Sequence, residues 1–195
     1  MSVTPLVAAV ARHVDGRTAR EILELEQKQD WPGLLALAQR QLARAPEQAE
    51  WWFLQGYALA RQGQHDAAVA SYQQALRISP EDETALLALG QSQAESGRFA
   101  DAEHAYRQAL RYRPESAQAY LALADLYLQR RQPDLALPNY RESVRYEPDL
   151  APAWVGLATA YHATGQVGRR DQAVQGLRRL DPAAADALEK QFRSK

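Results

Sequence analysis

The sequence predicts an all-α fold, a solenoid of stacked antiparallel helical hairpins, and three observations carry that prediction. Pro46, Pro80, Pro114, Pro148 and Pro182 fall at one spacing of 34 residues, each closing a related decapeptide: "SYQQALRISP", "AYRQALRYRP" and "NYRESVRYEP" centrally, "LAQRQLARAP" and "AVQGLRRLDP" at the ends. Within each period apolar residues return every three or four positions, the period of a helix buried on one side. No stretch alternates as a half-buried strand does. A lone hairpin cannot bury its apolar faces, whereas stacked hairpins can, which gives the period a physical reason to repeat.

In chain order, Thr4 and Pro5 resemble the cap and first residue of a short helix through "LVAAVARHV", so residues 1–14 are expected to be an N-terminal helix. Residues 15–48 form a degenerate period that keeps Leu25, Ala38 and Pro46 but has Thr18 where the next period has Trp52. Residues 49–82 are the clearest unit. Trp52, Phe53 and Leu59 with small Gly56 mark its first helix, and Gly63 past the end suits a left-handed cap. Ala68, Val69, Tyr72, Ala75, Leu76 and Ile78 mark its second, which Pro80 stops. Glu81 and Asp82 then sit at the positive end of the following helix.

Residues 83–116 and 117–150 repeat this plan, and 151–182 begin it well with Trp154 before decaying at Arg170 and Val174. Residues 183–195 are expected to be a capping helix with Ala184, Leu188 and Phe192 inward, since a terminal repeat must face water on one side. Two departures fall in 117–150. Arg131 takes the turn position of Gly63, Gly97 and Gly165, and Pro138 should remove a backbone bond early in a second helix or kink its start.

A net charge of −1 with 24% charged residues is an ordinary aqueous surface and argues against a protein whose main work is gripping phosphate backbones. With no cysteine, neither a disulfide nor a thiolate site is possible. No apolar run approaches the roughly 18 residues of a membrane helix, and the start lacks the basic residues of a secretory signal. The expectation is a cytoplasmic protein, periplasmic if a signal segment has been removed; the excess of arginine over lysine hints at a bacterial source. His13, His65, His104 and His162 form no metal-ligand spacing, and neither a phosphate loop nor a nucleophile elbow is present. No enzyme, cofactor or metal is expected.

The 34-residue helix–turn–helix unit resembles the tetratricopeptide repeat, whose pattern is W-x2-L-G-x2-Y…A-x3-F…P. The resemblance runs through Trp52, Gly56, Ala68, Tyr72 and Pro80, with Gln55 and Leu59 replacing its Leu and Tyr. It continues through Leu86, Leu89, Gly90, Ala102, Tyr106 and Pro114, then through Tyr120, Leu123, Ala124, Tyr127, Ala136, Tyr140 and Pro148. It implies a right-handed superhelix over about residues 15–182 in which first helices line a concave groove for a protein or peptide segment. Carried onto this chain, the groove holds an apolar rail of Phe53, Leu87, Leu121 and Val155, with Trp52, Leu86, Tyr120 and Trp154 filling the core behind it.

Beside the rail run Tyr57, Gln91, Asp125 and Thr159, then Ala60, Ala94, Leu128 and His162, then Arg61, Glu95, Gln129 and Ala163. Glu50, Thr84, Gln118 and Pro152 form the lip. Family members that clamp acidic chaperone tails need Lys, Arg and Asn here, and this groove offers only Arg61. The expected partner is an apolar segment with a basic residue or two for Glu95 and Asp125, bound by an adaptor or assembly factor.

Three other periodic sets are read as structural. Tyr72, Tyr106 and Tyr140, and Ile78, Tyr112, Tyr146 and Leu180, are assigned to the core. Arg77, Arg111, Arg145 and Arg179 lie in last helical turns, where a cation offsets the dipole. Alternatives are self-assembly through the chain ends, giving a homo-oligomer, and binding of nucleic acid or an acidic partner along this arginine ladder.

Overall fold

The computed structural model describes Val10 and residues 14–193. The helix expected over 1–14 lies almost wholly outside them; Val10 is helical and buried. Among the described residues the chain runs through eleven helices and no strand. The first hairpin is α1 (Gly16–Gln27) and α2 (Trp31–Leu42), and the second is α3 (Ala49–Arg61) and α4 (His65–Ile78). Then come α5 (Glu83–Glu95) with α6 (Phe99–Tyr112), α7 (Ala117–Gln129) with α8 (Pro133–Tyr146), and α9 (Ala151–Ala163) with α10 (Val167–Leu180), closed by α11 (Pro182–Arg193).

Turn chemistry repeats with the sequence. Residues one period apart enter the left-handed region between paired helices: Gln29 (φ 55°), Gly63 (75°), Gly97 (75°), Arg131 (57°) and Gly165 (70°). The next amide then reaches back to a carbonyl five residues earlier, as in Gln64 N to Leu59 O at 3.0 Å and Gln132 N to Tyr127 O at 2.9 Å. The turn at Arg131 therefore keeps the glycine geometry without the glycine. Pro138 lies inside a continuous α8. At helix starts, Asp15, Asp30, Asp82 and Ser116 accept amide hydrogens from three residues on, at 2.9–3.2 Å.

The chain divides into two compact units, Met1–Ala105 and Tyr106–Lys195. In the first, Ile22, Leu34, Leu54, Tyr72 and Leu86 are fully buried, and Tyr72 fills the space a Cβ on Gly56 would need. In the second, Tyr140, Val174 and Leu177 are fully buried, and Gly156 and Gly176 admit Tyr140 and Trp154 in the same way. Indole donors pin the turns between hairpins: Trp52 Nε1 to Pro46 O and Trp154 Nε1 to Pro148 O, both at 2.7 Å.

Several positions differ from expectation. Trp52, Tyr120 and Trp154 are only half-buried, because a ring whose N–H must reach the turn carbonyl or stack at the hairpin end stays near the surface, while Trp51 is buried. Ile78, Tyr112, Tyr146 and Leu180 are exposed at 42%, 47%, 37% and 39%: they occupy the last residue of each second helix, beyond the reach of the next layer. In α11 it is Ala185 with Leu188 that is buried, rather than Ala184.

Candidate functional site

In the unit Tyr106–Lys195, first helices α7 and α9 lie beside each other with α8 and α10 behind them. Gly156 on α9 admits the Tyr140 ring, and the surface between α7 and α9 sinks into a cleft of about 510 Å³. Asp125 and Leu128 of α7 line it, with Pro152, Val155 and Thr159 of α9. Tyr140 and Leu177 reach it from behind, and Asp181 and Ala184 close it at the start of α11. Its floor is apolar and its charged lining residues are Asp125 and Asp181.

The polar groups are held in place. Tyr140, with no exposed surface, donates its hydroxyl to Asp125 Oδ1 at 2.6 Å. Burial raises the phenol far above its ordinary range, reinforced by the neighbouring carboxylate, so Tyr140 stays protonated and remains a donor. Asp125 is exposed as a residue, yet its carboxyl sits against the cleft wall. That partial burial raises its pKa, opposed by the Tyr140 bond. Asp181 Oδ1 accepts from Ala184 N at 2.9 Å, which orients it while capping α11. Thr159 Oγ1 is turned to its own helix, donating to Val155 O at 2.8 Å.

Of the residues expected in the groove, Asp125, Leu128, Val155, Thr159 and Pro152 come together here. Leu121 is half-buried on α7 and does not line the cleft. His162 is engaged elsewhere, its ring 4.4 Å from that of Phe192, which Arg170 approaches at 5.6 Å.

The unit Met1–Ala105 treats the same repeat positions differently. Phe53 is 3% exposed and packs against Tyr72 at 5.6 Å, so it is core rather than rail. Tyr57 is buried too, edge-on to Trp31 at 6.0 Å and donating to Glu26 Oε1 at 3.1 Å. The first hairpin, contributing Glu26 and Trp31, covers this face of α3. Arg61 is exposed and lays its guanidinium 4.4 Å from the Trp31 ring. Leu87 and Glu50 are half-buried, and Gln91 and Glu95 are exposed.

Sequence reasoning assigned Tyr140 to packing alone and missed Asp181 and Leu177. The available signal was a tyrosine opposite a glycine, which lets a phenol pass between helices. Among the described residues no cluster of three or more potential metal ligands occurs, and no helix is long and apolar enough to cross a membrane.

Family models place this architecture. A "TPR repeat" model matches residues 56–97, and a "Tetratricopeptide repeat" model matches 87–137 and 121–185. The chain belongs to the tetratricopeptide-repeat family. No curated protein matches it. Among solved tetratricopeptide-like structures, MamA is 21% identical with a TM-score of 0.67, over 88% of this chain and 96% of its own. YrrB, a tetratricopeptide protein with an unusual peptide-binding site, is 21% identical with a TM-score of 0.63, over 77% of each chain. TTC0263, a thermophilic tetratricopeptide protein of Thermus thermophilus, is 17% identical with a TM-score of 0.67, over 88% of this chain and 93% of its own. At these identities the likeness speaks for the fold.

Proposed function

We propose that this tetratricopeptide protein is a non-catalytic adaptor or assembly factor that holds a segment of a partner protein against the α7–α9 face. The observation that carries the reading is the cleft, where an apolar floor meets two fixed carboxylates and five expected groove residues converge. YrrB, of like fold, has a peptide-binding site, which agrees with such a use of the scaffold. Leu128 and Val155 are the anchors. Asp125 and Asp181 favour a basic residue beside the apolar one, and a bound cation would relieve the burial penalty on Asp125. In the unit Met1–Ala105, Leu87 is half-buried and Gln91 and Glu95 are exposed, while Phe53 and Tyr57 serve the core.

Affinity at such a site comes from a few buried anchors rather than from area. Each aliphatic anchor fully buried by the ligand contributes about 1.5–3 kcal/mol. Leu128→Glu with Val155→Glu should therefore weaken capture of the partner by about a hundredfold or more, with helicity unchanged by circular dichroism. The segment retained by wild type, mapped on peptide arrays, should be apolar with a lysine or arginine. Equal retention by the double variant, or an acidic mapped segment, would remove the cleft from the account.

A further inference from the structure

The ends of the second helices in the same unit carry a second pattern. In the last two turns of α6 the exposed residues are Arg107, Arg111 and Tyr112; in α8 they are Arg141, Arg145 and Tyr146. In α10 they are Gln175, Arg179 and Leu180. Five are arginine, three are large and apolar, and none is acidic. The one acid within these turns, Glu142, is half-buried and accepts from Arg145 Nε at 2.9 Å.

The helix dipole accounts for a cation in each last turn. Arg107, a turn earlier, donates to the Tyr127 hydroxyl at 3.1 Å, but the dipole does not account for Arg141, nor for a large apolar side chain left at the surface beside each last-turn arginine. Periodic apolar exposure rimmed by charge of one sign is the pattern of an interaction surface. We propose that the exposed ends of α6, α8 and α10 form a second docking surface, whose occupant is an acidic amphipathic segment of a protein partner. Arginines meet its carboxylates, and Tyr112, Leu180 and the open edge of Tyr146 meet its apolar side chains.

Charge alone would also suit single-stranded nucleic acid, which needs open aromatic faces for base stacking. Here Tyr146 stacks on Tyr120 at 5.8 Å and 12° and lies under the Arg145 guanidinium at 4.1 Å, leaving little ring face for a base. The equivalent rung on α10 is Leu180, which cannot stack. Of the three rungs only Tyr112 keeps a ring free to stack, and that favours protein. At its α10 end this surface adjoins the acidic cleft, since Leu180 precedes Asp181, yet the two present opposite charge and so suit segments of opposite charge.

Fluorescence anisotropy with the full chain tests the assignment. The probes are a helical peptide with leucine on one face and glutamate on the other, and poly(dT). The peptide should bind, more weakly as salt rises. Arg111→Gln/Arg141→Gln/Arg179→Gln should weaken it about tenfold, and Tyr112→Ser/Leu180→Ser should weaken it several-fold. Leu128→Glu/Val155→Glu should leave it unchanged. The proposal is overturned by no peptide binding, by poly(dT) binding more tightly than peptide, by either ladder variant binding like wild type, or by loss in the cleft variant.

Discussion

Replacing Gly156 with alanine tests how packing and site are joined. A Cβ built there would lie 2.2 Å from Tyr140 Cε1, 2.4 Å from Cζ and 2.8 Å from Oη, where carbon contacts are normally about 3.5–4 Å. Tyr140 has no exposed surface and so has nowhere to retreat within the core. Overpacking of this kind costs about 1–3 kcal/mol. A shifted ring also strains the bond to Asp125, which adds about 1 kcal/mol, the low end for a buried phenol donor left poorly paired. Alanine returns about 1 kcal/mol of helix propensity in the middle of α9.

The net expectation is a loss of about 1–3 kcal/mol, together with weaker partner binding because Asp125 loses its orienting donor. Gly168, with nothing within 4 Å of an added Cβ, is the control: alanine there should be neutral or stabilising by up to about 1 kcal/mol. Urea unfolding followed by far-ultraviolet circular dichroism compares the midpoints. Adding Tyr140→Leu should remove most of the penalty at Gly156, a coupling that a double-mutant cycle measures. If Gly156→Ala unfolds at or above the wild-type midpoint, the reasoning about this contact is refuted.

Arg131→Gly should raise stability by about 1 kcal/mol, since arginine there holds a φ of 57° that glycine adopts without strain; a lowered midpoint would contradict this. Asp125 carries a pH signature. Its folded pKa lies above the ordinary 3.8, so between the two values the folded chain binds the extra proton and stability falls as pH rises. Asp125→Asn should therefore stabilise the chain at neutral pH, lose that advantage in acid, and weaken partner binding. A pH-independent difference between the two proteins would refute the assignment.

The fold was legible because one packing unit is written five times, and both the helical period and the turn chemistry repeat with it. Even the exceptions obey it: Gln29 and Arg131 adopt left-handed turns because the hairpin geometry demands them. Less legible was which side of a first helix stays open. The repeat position of Phe53 is core in one hairpin, while that of Val155 lines a cleft in another. Burial there depends on the neighbouring layer, and in the first unit Trp31 and Glu26 fill the space over Tyr57. The ladder of Ile78, Tyr112, Tyr146 and Leu180 misled for a related reason: its spacing is that of core residues, but it occupies the last residue of each second helix, where the side chains stay partly exposed.

Where a partner sits is answered directly by a photo-cross-linking amino acid. It would be placed in cells at Pro152 on the cleft rim or at Gln172 on the exposed side of α10, both outside the packed core. The account predicts a protein adduct from position 152 that disappears when Leu128→Glu and Val155→Glu are added. No adduct at 152, or one that survives those substitutions, would contradict it.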